Sequence, residues 1–182
     1  MRKKTSYNKG FTILETIVAV LILGISISAM VVIMGGGAQK TIHNKDRLTA
    51  AYLAQEGVEL VRNIRDTVFL VHEDDVGITA RWDIFKDDLD TCFTSTCAVS
   101  YNFDADSGEI PVIVSGGYTS PLKFNATTGR YSYGSGVATM FTRSVRVVPI
   151  DDDSVRVDVT VNYREGGAPR SYSTSQILFN WF

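Results

Sequence analysis

Cys92 and Cys97 stand in C-F-T-S-T-C and are the only cysteines in the sequence. In an oxidising compartment such a pair closes a small loop as a disulfide; the alternatives are two free thiols or half of a metal site. Zinc needs about four ligands. The only histidines, His43 and His72, lie far from the cysteines and from each other in sequence, so no metal centre is expected. The segment N-F-D-A-D-S-G-E offers the hard oxygens of Asp104, Asp106 and Glu109 in the manner of a calcium loop. Glu109 occupies the slot where an EF-hand needs glycine, and no bidentate glutamate follows at the right distance. A solvated turn is therefore the expected reading. No H-E-x-x-H, Gly-flanked serine or phosphate-cradling glycine motif occurs. The sequence predicts no catalytic constellation, no cofactor and no enzyme.

One further residue of chemical interest is Glu15, the single charge in the run from Phe11 to Met34, FTILETIVAVLILGISISAMVVIM. As a helix this run extends about 36 Å, against a bilayer hydrocarbon core of roughly 30 Å. It is apolar on every face, which a core helix of a soluble protein rarely is. It is also longer than the ~7–15 apolar residues of a secretory signal peptide, and no Ala-x-Ala site follows it. A carboxylate within such a span is costly. Either it sits at the interface, snorkelling or protonated, or it awaits a cation from another chain.

Charge is distributed to match. The 182 residues carry a formal net charge of −2, too near neutral for a nucleic-acid binder held by phosphate neutralisation. Arg2, Lys3, Lys4 and Lys9 occupy residues 1–10 with no acidic residue, whereas the remainder holds fourteen basic and twenty acidic side chains, a net of −6. Basic residues before the span place the N-terminus in the cytoplasm and the head outside, in a single-pass membrane protein.

The stretch K-G-F-T-I-L-E, followed by some twenty apolar residues, resembles the class III signal of type IV pilins and type II secretion pseudopilins. The resemblance implies cleavage after Gly10 by a prepilin peptidase and N-methylation of Phe11 by the same enzyme. It implies that Glu15 neutralises the terminal amine of a neighbouring subunit, and that the N-terminal helix meets other subunits, the assembly platform and membrane lipid. It also implies a pilin-like α+β fold, with a long N-terminal helix packed on an antiparallel β head.

The later sequence fits that fold. Ala54, Val58, Val61, Ile64 and Val68 form an apolar stripe at helical spacing. Arg47, Gln55, Glu59, Arg62 and Asp66 lie mostly off it, with Glu59 and Arg62 spaced to pair. One helix is expected over residues 11 to about 66, with soft points at Gly24 and Gly35–Gly37. From about residue 76, short alternating runs are expected. Val155, Val157, Val159, Val161 and Tyr163 alternate with Arg156, Asp158, Thr160 and Asn162, the pattern of a half-buried antiparallel strand. Asp151–Asp153 and Glu165–Gly167 read as the turns of a three-strand meander, and L-K-F-N-A-T-T-G-R-Y-S-Y reads as a hairpin with Gly129 in its loop. The expected divisions are a leader at 1–10, a membrane and assembly half-helix at 11–34, its extracytoplasmic continuation at 35–68 and a β head at 69–182.

The expected function is that of a minor pilin or pseudopilin, a subunit assembled into, or priming, a pilus-like or secretion filament. The L-A-Q-E-G-V-E-L-V-R-N-I-R-D helix and the terminal strand I-L-F-N-W-F resemble minor members in particular. An anchored binding head for adhesion or DNA uptake is the second reading, and a signal-anchored enzyme the third.

Overall fold

The computed structural model describes residues 10–72, 77–104, 108–114 and 119–180, with side chains for these except 35, 36, 38, 39 and 102–114. It divides into two compact units, Met1–His43 and Asn44–Phe182. Helix α1 (Ile13–Val71) contributes to both. The other elements are α2 (Ile78–Asp88), α3 (Asp90–Thr94), β1 (Ala98–Asp104), β2 (Gly108–Val114), β3 (Lys123–Asn125), β4 (Arg130–Ser132), β5 (Val137–Ala138), β6 (Thr142–Asp151), β7 (Ser154–Glu165) and β8 (Ala168–Phe179).

The first unit is the N-terminal part of α1. Ile13–Met34 has a mean hydropathy of 2.9, and none of its residues is buried. Helix runs unbroken through Gly24 and Gly35–Gly37, where soft points were expected. Glycine lowers helix stability by about 1 kcal/mol against alanine, but it keeps its N–H, so the hydrogen-bond ladder can continue through it.

In the second unit, residues 44–71 of α1 supply one wall of the core. Ala54, Val58, Val61, Ile64 and Val68 are all buried, as the stripe predicts, and Ala50, Leu53, Leu60 and Phe69 widen it. Glu59 and Arg62 form the expected pair on the wet side. The opposing wall is the antiparallel sheet β6-β7-β8. Val155, Val157, Val159, Val161 and Tyr163 face inward, joined by Val145, Val147 and Leu178. The β7–β8 register closes on Glu165↔Ala168, leaving a two-residue turn of Gly166 and Gly167. Both have positive φ, 58° and 88°, as a type I′ hairpin turn requires and side-chain-bearing residues resist.

Helix and sheet approach most closely at Gly57. A Cβ there would stand 2.8 Å from Val159 Cγ1 and 3.1 Å from Arg143 Cδ. Overpacking of this kind costs about 1–3 kcal/mol, more than the ~1 kcal/mol of helix propensity that alanine returns. Gly57→Ala should therefore lower stability by about 1 kcal/mol in thermal unfolding of the detergent-solubilised protein. Val159→Ala is itself costly, because Val159 is buried, but in its background Gly57→Ala should cost less than in the wild type. Strict additivity of the two substitutions would show that the approach is not tight.

Two features depart from expectation. Alternating runs were expected from about residue 76, but α2 and α3 occupy 78–94. Trp82, Phe85, Leu89 and Cys92 recur at intervals of three and four and are buried, so the helical period wins over the short strand-like runs. Helix α1 also continues to Val71, beyond the end expected near 66. The β3–β4 hairpin forms as predicted, and β5 joins the other side of β3. β1 and β2 pair as a separate hairpin, Ala98↔Val114 to Asp104↔Gly108.

Candidate functional site

The segment holding Gly10, Phe11 and Glu15 is exposed throughout. Gly10–Thr12 lie ahead of the helix, and Phe11 is 78% exposed. Thr12 caps the helix, its Oγ1 accepting from the Glu15 N–H at 3.3 Å, and Thr12 O accepts from the Thr16 N–H at 3.2 Å. T-x-x-E at a helix start is the sequence pattern of a capping box. A carboxylate in the first turn also meets the positive end of the helix dipole. The observed half of the capping-box pattern is the Thr12 cap, made to the backbone of Glu15 and not to its carboxylate. Phe11 lies just ahead of the first turn that carries Glu15.

Cys92 and Cys97 are joined, with S–S 1.93 Å and Cα–Cα 4.9 Å, and both are buried. Cys97 exchanges two backbone hydrogen bonds with Val145, donating at 2.8 Å and accepting at 2.9 Å. The disulfide therefore fastens α3 to the edge of β6. Asp106 lies outside the described residues, and so do the side chains of Asp104 and Glu109. Among the described residues no cluster of three His, Cys, Asp or Glu could hold a metal ion. His43 ends the first unit and His72 follows α1 in the second. Asp151, Asp152 and Asp153 sit exposed at the β6–β7 turn, where Asp151 Oδ1 accepts from the Asp153 N–H at 3.1 Å.

The most elaborate polar arrangement in the second unit was not expected. Arg143 on β6 is fully buried. Its Nη1 donates to Leu53 O at 3.2 Å and pairs with Glu56 Oε2 at 3.2 Å, while Nη2 donates to Val99 O at 2.8 Å. One guanidinium thus ties α1, β1 and β6 together. Tyr133 OH donates to Arg143 O at 2.8 Å. Burial raises the Tyr133 phenol above its ordinary pKa, with the Arg143 charge opposing the shift. An acid whose folded pKa is raised keeps its full contribution below the unfolded pKa and loses it as pH climbs through the folded one, so this contact weakens only in strong alkali. The signal for Arg143 was present: it alternates in phase with Val145 and Val147, which face the core. This network is architectural: it joins α1, β1 and β6.

An exposed apolar helix whose first turn carries one carboxylate, in a chain continuing as helices and antiparallel sheets, is a pilin-like α+β architecture. Residues 5–31 match the family model of the prokaryotic N-terminal methylation motif. No curated protein matches the chain, and no solved structure does. The motif, seated on this helix, supports the type IV pilin and pseudopilin family. It implies processing by a prepilin peptidase and assembly with other pilin subunits, and the helix fits a membrane anchor.

Proposed function

We propose that this protein is a minor pilin or minor pseudopilin, cleaved after Gly10, methylated on Phe11 and assembled through its N-terminal helix into, or as a primer of, a pilus-like or secretion filament. The observation that carries the reading is the methylation motif at 5–31, whose Glu15 is the one charge in an otherwise uncharged span with no buried residue. Leader 1–10 and the basic residues within it lie on the cytoplasmic side. Residues 11–34 contact lipid, the assembly platform and other subunits, residues 35–68 continue the helix outside, and 69–182 form the head. An unpaired charge is expensive in lipid, so pairing Glu15 with the amine of a neighbour's Phe11 couples assembly to correct register. The reading is that of a structural subunit, as the methylation motif supports.

The Thr12-x-x-Glu15 capping-box pattern supplies the control for this proposal. Glutamine can serve at the third position of a capping box but carries no charge. Glu15→Gln and Glu15→Ala should both insert and be cleaved after Gly10, and both should lose crosslinking to partner subunits by about ten-fold, the equivalent of about 1.4 kcal/mol. Wild-type crosslinking by Glu15→Gln would reduce the residue to a helix cap. Wild-type crosslinking by both variants would make it a tolerated interfacial charge.

A further inference from the structure

The two edges of the β6-β7-β8 sheet differ. The β6 edge is engaged at Val145 by Cys97, which the disulfide holds in place. The outer edge of β8 has no partner strand among the described residues. Natural sheets blunt such edges with charges, prolines or bulges, because a regular free edge is a template for another strand. β8 has Pro169 and Arg170 at its start, and then Ser171–Phe179 contains no charge, no proline and no glycine. Its register with β7 is unbroken, so the edge is regular over its length. Beside it runs an open groove lined by Gln55, Val58 and Glu59 of α1 and by Thr174–Gln176 of β8.

We propose that β8 is a pairing edge, and that its occupant is the β8 of a second copy of this chain. Charge selects that occupant. β6 carries Arg143, Arg146 and Asp151, and β7 carries Arg156, Asp158, Arg164 and Glu165, whereas β8 has an uncharged stretch, Ser171–Phe179, centred on Ser175. Two copies laid antiparallel with Ser175 opposite Ser175 pair the whole neutral stretch and leave each Arg170 outside the ladder. No like charges then face each other. The register sets Ile177 against Ser173 and Phe179 against Ser171, covering two side chains that are now 45% and 54% exposed. Because the contact is two-fold and closed, it makes dimers rather than fibres. It is a contact of the head, independent of the helix contacts of the filament.

Oxidative crosslinking of the full-length protein in membranes tests both edge and register. Ser175→Cys should give a disulfide-linked dimer of this chain, with about ten times the yield of Asn162→Cys, an exposed control on the outer face of β7. In the Ser175→Cys background, S173K/I177K places like charges opposite each other and should lower the yield about five-fold; S173K/I177E places opposite charges there and should restore it. Three results would overturn the proposal: a yield for Ser175→Cys no higher than that of Asn162→Cys, a crosslink to a different protein, or equal crosslinking by the two double variants.

Discussion

With Gly10 replaced by valine, the chain should accumulate in the membrane as the uncleaved precursor, still carrying residues 1–10. The residue before the proposed scissile bond contributes only a hydrogen as its side chain, and a subsite shaped to that hydrogen has no volume for a branched carbon. Active-site pockets discriminate by roughly 10–200-fold for a single methylene, and valine adds three carbons. Processing should therefore fall by about two orders of magnitude or more. Gly10 is exposed and a Cβ there meets nothing within 4 Å, so the substitution leaves the rest of the protein undisturbed. A blot of membrane fractions separates precursor from mature chain. Cleavage of Gly10→Val at the wild-type rate would remove Gly10 from the processing site.

The largest effect on stability is expected at Arg143. Arg143→Ala deletes the guanidinium that satisfies Leu53 O and Val99 O, strands Glu56 and opens a cavity between α1 and β6. Glu56 is 34% exposed and can turn to water, so the cost lies near the lower bound for breaking a buried pair, about 3 kcal/mol. Arg143→Met refills most of the volume with apolar atoms and should cost less, about 1–2 kcal/mol, since what remains is the loss of hydrogen bonds. Denaturant midpoints of the detergent-solubilised protein give both values. If Arg143→Ala came within 1 kcal/mol of the wild type, or Arg143→Met were the worse of the two, the guanidinium would not be what joins these elements.

Much of the architecture was legible because it rests on long periods. Val155–Tyr163 alternates over a whole strand, and the α1 stripe repeats over several turns, so each predicts its buried face residue by residue. The meander turns follow from Asp and Gly clusters between such runs. The helices at 78–94 were less visible: α2 and α3 are short, and their apolar positions are interleaved with short alternating runs. Trp82 also draws stability from a contact no local pattern contains, its Nε1 donating to Asp152 O at 2.8 Å. Arg143 was missed for a different reason. A charge in a strand reads as solvent-facing even when it alternates in phase with buried valines. The partners that let it sit inside, the carbonyls of Leu53 and Val99 and the carboxylate of Glu56, are distant in sequence. At the N-terminus the motif was readable because it is contiguous. The cap made by Thr12 was equally contiguous, its hydroxyl accepting from the backbone N–H three residues on.

The central claim is that Phe11 becomes the N-terminus and carries a methyl group. Mass spectrometry of the protein purified from its native membranes, with N-terminal peptide mapping, tests it most directly. The expected product lacks residues 1–10 and begins with N-methylated Phe11, the rest of the chain being intact apart from the two hydrogens removed by the Cys92–Cys97 bridge. A mature chain that retains its leader, begins at another residue or carries an unmodified Phe11 would contradict the account.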